Sequence, residues 1–210
     1  MKKLVFGTSN AKKVEELKTL LSLYGLDMDV VSLKDIGFDE EIDENGTTLE
    51  ENSLIKAKVV KAFCDRKGIK ADILTDDAGL CVGYLNGEPG VRTGRYAGDK
   101  AKQEENIAKL LGNMEGAKGD ERSATHECVL TYLPVKGRKL VAKGVTKGKI
   151  SEDVGNLAGQ TFWPVFVPDG SRVPLSEISK EDLAKSNFSY RKNAFTELLI
   201  KMKELEDVER

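Results

Sequence analysis

The sequence predicts an α/β protein, and three observations carry that expectation. The chain opens on an apolar run, Lys3 to Gly7, followed at once by polar Thr8-Ser9-Asn10 and then by Val14, Leu17, Leu20 and Leu21 at helical spacing. A second helical segment, Leu49 to Lys67, leads into another short apolar run at Ile73-Leu74. Further on, Glu127 to Leu133 and Lys139 to Gly148 read as two long strands joined through Pro134 to Gly137. Strands that alternate with amphipathic helices bury their apolar faces against one another in an α/β arrangement.

Each element has its own justification. Thr8, Ser9 and Asn10 offer side-chain oxygens to the orphan N–H groups of the first helix, and Gly25 ends it. Val30-Val31 marks a second strand, and the acidic stretch from Asp39 to Asn45 runs into Gly46-Thr47-Thr48. The second helix carries Glu50 and Glu51 in its first turn, as the helix dipole favours, with Leu54, Ala57, Val60 and Ala62 as its apolar residues and Gly68 as its stop. Ile73-Leu74 and Leu80 to Leu85 read as strands on either side of a turn at Asp76-Asp77. Asn86-Gly87-Glu88-Pro89-Gly90 is turn chemistry. Asn106 to Leu111 closes a further helix, the two long strands form a hairpin arm belonging to a second lobe, and a last helix from Asn193 to Glu206 repeats Ala194, Leu198 and Met202 on one side.

Composition bounds what such a chain can do. Its 210 residues, 40% hydrophobic and 32% charged with five prolines, describe one folded unit with room for two tightly packed lobes. A net charge of -2 leaves no excess of cations to hold a polyanion through many phosphate contacts, which disfavours a nucleic-acid partner. The apolar stretch after Lys2-Lys3 is too short for a signal-peptide core, and no segment approaches membrane-spanning length. Cys64, Cys81 and Cys128 are odd in number and widely spaced, which fits reduced thiols in a cytoplasmic protein.

Four segments carry candidate chemistry. Thr8-Ser9-Asn10-Ala11-Lys12-Lys13 lies where a strand meets a helix N-terminus, so its N–H groups, hydroxyls and Lys13 can meet an anion; the glycine-rich P-loop pattern is absent. Asn52 and Lys56 stand four apart on one helical face and can converge on a common ligand. Asp43 and Glu44, ahead of the Gly46 turn, offer oxygens to a hard cation such as Mg2+, which takes one or two carboxylates and completes its shell with phosphates and water. Asp76 and Asp77 follow a buried run; neighbouring strand side chains point to opposite faces, so one can hold a metal or a water while the other braces the chain. Gly90 to Gly98 is dense in glycine and arginine, and Lys185 to Arg191 adds two cations and an aromatic just ahead of a helix. Lone His126 has no spacing that suits a catalytic triad and reads as structural.

Taken together these segments resemble the inosine triphosphate pyrophosphatase family, the house-cleaning enzymes that hydrolyse ITP, XTP and their deoxy forms to the monophosphate and pyrophosphate. The resemblance runs almost end to end and rests on Thr8 to Val14, Thr48 to Ala57, Asp76 to Leu80, and Leu85 to Val91 with Arg95 to Gly98. It implies a single bilobed domain, an elongated mixed sheet with flanking helices and the nucleotide in a cleft between lobes, and a homodimer. By carry-over, Thr8, Ser9, Asn10, Lys13 and Lys56 would hold the triphosphate, Glu44 and Asp77 would hold Mg2+ or Mn2+, and Asp77, aided by Asp76, would activate water. Ala78, Phe162, Trp163, Lys185, Tyr190 and Arg191 would line the nucleotide site.

The base pocket departs from the family. Where the family reads Gly-Phe-Gly-Tyr/Trp-Asp-Pro, this chain has Gly159-Gln160-Thr161-Phe162-Trp163-Pro164, so an aromatic, a glycine and an aspartate are lost. Ser189-Tyr190-Arg191 stands for the family's Ser-His-Arg, and Ala78 replaces a serine. The expectation is therefore a pyrophosphatase whose base preference has moved from hypoxanthine and xanthine, either to another modified nucleotide or to looser selection by Trp163 and Phe162 stacking. A catalytically silent nucleotide sensor and a hydrolase of smaller phosphorylated metabolites stay open as alternatives.

Overall fold

The opening strand, turn and helix fold as β1 (Lys2–Phe6) and α1 (Ala11–Leu23), in a computed structural model that describes residues 2–208. Val14, Leu17, Leu20 and Leu21 are the buried face of α1, as their spacing requires. Burying a Leu or Val side chain stabilises by about 1.5–3 kcal/mol, so this one stripe anchors a 13-residue helix that would be marginal in isolation. β2 (Met28–Ser32) follows, then α2 (Leu49–Arg66), β3 (Asp72–Val82), α3 (Gln103–Asn113), β4 (Ser123–Leu133), β5 (Leu140–Ile150), β6 (Phe166–Pro168), α4 (Lys180–Lys185) and α5 (Tyr190–Val208). The strands form one six-stranded sheet in the order β2-β1-β3-β4-β5-β6. β1 pairs in parallel with both β2 and β3, whereas β5 and β6 are antiparallel, so the sheet is mixed.

Two compact units divide the chain. The first takes in Met1–Asp77, Val129–Lys143 and Ala194–Arg210, and the second Ala78–Cys128 and Gly144–Asn193. The core of the first gathers Val5, Leu33, Val60, Cys64, Ala71 and Ile73, with Phe38 and Leu133 packed against it. Buried Asp72 is also tied down there: its Oδ2 lies 2.7 Å from Lys2 Nζ and accepts from the Tyr132 hydroxyl, and its Oδ1 accepts from Val135 N–H at 2.8 Å. In the second unit Leu80, Val82, Ile107, Leu110, Cys128, Phe162 and Phe166 are almost wholly buried. The three cysteines are free thiols, and among the described residues no helix is long and apolar enough to cross a membrane.

Four expectations need correction. β3 runs unbroken for 11 residues through Asp76 and Asp77, so there is no turn between them. Adjacent carboxylates signal a turn only when both need water; here each finds a lysine on its own face of the strand, and the extended backbone persists. On α2 the buried face is Leu49, Asn52, Ser53, Lys56, Ala57, Val60, Phe63 and Cys64, while Ala62 is exposed and Leu54 half-buried. β4 and β5 do not form a separate arm: their turn end belongs to the first unit and their far ends to the second. α5 begins at Tyr190 rather than Asn193, which puts Tyr190 and Arg191 inside the helix.

Candidate active site

In the first unit the site grows from the two helix starts and from β3. Asn10 caps α1, its Oδ1 accepting from Lys12 N–H at 2.9 Å, and Thr8 Oγ1 accepts from Asn10 N–H at 3.1 Å. Ser9 and Asn10 are exposed, so the polar turn and the first N–H groups of α1 face outward, where an anion can reach them. Lys13, one turn on, donates to both oxygens of Asp76, at 3.1 and 3.0 Å.

The start of α2 is braced twice over. Thr48 Oγ1 accepts from Glu51 N–H at 3.1 Å while Glu51 accepts from Thr48 N–H at 3.2 Å, a reciprocal cap. Gly46 N–H donates to Asn52 Oδ1 at 2.8 Å, and a Cβ at Gly46 would lie 2.7 Å from both that oxygen and Glu51 Cβ, so only glycine lets the loop close this tightly. The helix is fixed to β3 where Thr75 Oγ1 donates to Ser53 O at 2.7 Å. This bracing aims Lys56 inward. Its Nζ lies 2.8 Å from Glu44 Oε2 and 3.3 Å from Asp77 Oδ1.

Asp76 and Asp77 thus serve opposite faces of β3, one against α1 and the other against α2. Burial pushes the Asp77 carboxyl above the usual carboxylate range; Lys56 pulls the other way, and the negative charges of Glu44 and Asp76 raise it further. Burial by itself would lower the Lys56 ammonium, but Asp77, Asp76 and Glu44 reverse that and hold it above its ordinary value. Asp77 Oδ2 is buried and has no hydrogen-bond partner. A buried carboxylate oxygen without a donor, close to a second carboxylate, is what a hard cation would satisfy, so the residues present fit Mg2+ with Glu44 and Asp77 as its ligands. Among the described residues no group of three or more His, Cys, Asp or Glu side chains is placed to hold a metal ion. A cavity of about 500 Å³ in the same unit, lined by Lys18, Leu21, Asp27 and Asp29 among others, includes none of these groups.

The second unit holds the rewritten base segment. Phe162 is fully buried, its ring edge-on to Tyr96 at 6.4 Å, so it is a core residue and offers no open face for stacking. Trp163 is half-buried and donates its indole N–H to Tyr190 Oη at 3.0 Å. Tyr190, only 1% exposed, stacks on His126 with 4.3 Å between centroids and 5° between planes, and donates its own proton to Gln160 Oε1 at 3.0 Å. Arg191 is buried, with its guanidinium 5.7 Å from the Tyr190 ring centroid. Lys185 is exposed and bonds Glu181 one turn away at 2.5 Å, so the structure leaves it on a solvated helix face. Ala78, half-buried, is the first residue of this unit. His126 sits at the centre of the aromatic stack, a structural role as expected, and burial with help from Arg191 lowers its pKa to about 3. Gln160 is the residue whose role the sequence did not reveal. No spacing signals it, because its partner Tyr190 lies 30 positions away.

This mixed sheet with capped helix starts, paired lysines and carboxylates defines a phosphate-handling α/β protein. The chain belongs to the Ham1 family, whose model matches residues 4–201. It is 36% identical over 200 residues to a dITP/XTP pyrophosphatase of Clostridium perfringens, covering 94% of this chain and 96% of that one. It is 37% identical over 204 residues to a dITP/XTP pyrophosphatase of Caldanaerobacter subterraneus subsp. tengcongensis, covering 97% and 96%. Among solved structures, the Ham1 protein of Staphylococcus aureus superposes with a TM-score of 0.81 at 29% identity, over 98% of this chain and all 100% of that one. A HAM1 protein from Coxiella burnetii gives 0.81 at 29% identity, over 97% and 100%.

Proposed function

We propose that this chain hydrolyses dITP, ITP and XTP to the monophosphate and pyrophosphate, with Glu44 and Asp77 as the residues that would hold Mg2+. The observation that carries this reading is the buried cluster on α2 and β3, where Lys56 lies between two carboxylates and Asp77 Oδ2 is left without a donor. The α1 N-terminus with Thr8, Ser9, Asn10 and Lys13 binds phosphate oxygens, and Lys56 neutralises charge that builds on them during displacement. Asp77 orients the attacking water and accepts its proton; a carboxyl whose pKa is raised is a better base than an ordinary one. Asp76, held by Lys13, keeps β3 in register beside it. Mg2+, when bound, supplies charge neutralisation of the phosphates and orientation of that water. Mn2+ has the same preference for oxygen ligands.

The test is a pyrophosphate-release assay over a panel of inosine, xanthosine and standard ribo- and deoxyribonucleoside triphosphates with Mg2+ or Mn2+. Release from the inosine and xanthosine nucleotides is the expected result. Silence across the panel overturns the enzymatic reading, and nucleotide binding without turnover would turn the protein into a silent sensor. A homodimer in the cytoplasm completes the proposal, and light scattering on the purified chain decides the assembly.

A further inference from the structure

One proton beside Tyr190 is fixed by chemistry alone, without reference to a ligand. An indole N–H can only donate, so in the 3.0 Å contact between Trp163 Nε1 and Tyr190 Oη the hydroxyl is the acceptor. The single phenolic proton then runs on to Gln160 Oε1 at 3.0 Å. The Gln160 amide is accordingly assigned with Oε1 toward Tyr190, a choice made from the hydrogen-bond network and not from atom positions. With Oε1 occupied, Nε2 carries two N–H donors, and among the described residues no acceptor takes them.

The amide is also built to stay in place. The Gln160 carbonyl accepts from Trp163 N–H at 2.9 Å and from Gln103 Nε2 at 3.0 Å, which fixes its backbone from two sides. Gly159 has φ +84, and a Cβ there would fall 2.2 Å from Trp163 Cε3, so the indole lies directly on the backbone and only glycine permits it. Tyr190 is clamped from beneath by His126. Gln160 itself is only half-buried, so a rigid pair of donors is offered where a ligand can reach them.

We infer that Gln160 is the base-reading residue of this chain, its side-chain NH2 donating to the carbonyl of a 6-oxopurine, and that Tyr190 and Trp163 position it. The inference rests on the pyrophosphatase reading above for the identity of the ligand. A 6-oxopurine offers an acceptor at that edge, whereas adenine offers an N6 amino group that would meet Gln160 donor to donor. Sites that leave a buried polar group facing a like group discriminate by roughly 10-fold to 10⁵-fold. As far as Gln160 is concerned, hypoxanthine, xanthine and guanine are one class and adenine is excluded.

The experiment compares ITP with ATP, as kcat/KM and as calorimetric Kd, in the wild type and in Gln160→Glu, Gln160→Ala and Tyr190→Phe. Gln160→Glu keeps an oxygen for the Tyr190 proton and turns only the outer atom from donor to acceptor, so the fold is preserved and any effect of the added charge on the triphosphate cancels in the ratio. Wild type should favour ITP at least tenfold, and Gln160→Glu should reduce the ITP:ATP ratio at least tenfold. Tyr190→Phe should lower the ratio on its own yet change it no further in the Gln160→Ala background, a non-additivity that a merely structural tyrosine would not give. Wild type that handles ATP as well as ITP, or a ratio unmoved by Gln160→Glu, overturns the assignment. If no nucleotide is turned over, the enzymatic reading fails separately, and the Kd ratio still decides Gln160.

Discussion

Around Asp77 two carboxylates share one ammonium and a buried carboxylate oxygen has no hydrogen bond, whereas around Tyr190 the protons of the indole and the phenol each have an acceptor. The first region is electrostatically unfinished in the free protein; in the second the indole and phenol protons are placed, while the two His126 nitrogens beneath them are buried without hydrogen-bond partners. The difference separates two jobs. A site that must attract a cation and an anionic substrate keeps a standing electrostatic cost until they arrive, a common stability cost of function. A site that must tell one base from another needs its donors fixed beforehand, and a run of hydrogen bonds behind them fixes them.

Asp77→Asn gives the largest test of the unfinished side. Turnover should fall by about 10²–10⁴-fold, the usual worth of a general base. The free protein should at the same time become more stable. A carboxyl whose pKa is raised on folding is destabilising while ionised; that cost is absent below its unfolded value and grows as pH rises toward the folded one, so it is present at neutral pH. Removing the charge removes the cost. Thermal melts at neutral pH without metal should show a higher Tm for the variant, and Mg2+ should raise the Tm of the wild type more. A variant that melts lower without metal would mean that the cluster is already satisfied, and the contrast would vanish.

Lys56→Met tests the same cluster from its cationic side. It leaves Asp77 and Glu44 facing each other with no ammonium between them, which should destabilise by about 1–3 kcal/mol, the cost of an unsatisfied buried polar group. Combined with Asp77→Asn the loss should shrink, giving a coupling of ~0.5–3 kcal/mol in a double-mutant cycle of urea melts. Additive effects would show that Lys56 does not act through Asp77.

The two regions also differ in how far they could be read from the chain. Lys56 and Asn52 are four apart on a helix, and Asp76 and Asp77 are adjacent on a strand, so elementary periodicity already puts the first pair on one face and the second on two. The buried stripe of α1 was legible for the same reason. What local pattern could not supply was pairing at a distance. β3 continues through its two aspartates because Lys13, 63 positions away from Asp76, neutralises one of them. Phe162 lies in the core and its neighbour Trp163 is half-buried, a distinction decided by Tyr96 and Gly159 and not by the aromatic pair itself. Lys185 reads as a binding cation in isolation, but Glu181 one turn back claims it. Gln160 acquires meaning only once Tyr190 enters α5 and hands it a proton.

The smallest expected effect lies under the completed side. His126, stacked on Tyr190 and edge-on to Phe166 at 5.4 Å, is neutral in the fold, its pKa lowered from 6.5 to about 3 chiefly by burial. For a base whose folded pKa is depressed, the stabilisation is fully present above the unfolded value and is lost as pH falls through the window from 6.5 to about 3. His126→Phe keeps a flat ring against Tyr190 and removes the titration. Urea melts at pH 7 and pH 5, followed by the fluorescence of Trp163, should show the wild type losing more stability over that step than the variant. The ITP:ATP ratio should stay the same in both, because the ring supports Tyr190 by packing and takes no part in the run of protons from Trp163 to Gln160. Equal losses in the two proteins would mean that His126 reaches water in the folded state, and the aromatic segment would then be as open to charge as the cluster around Asp77.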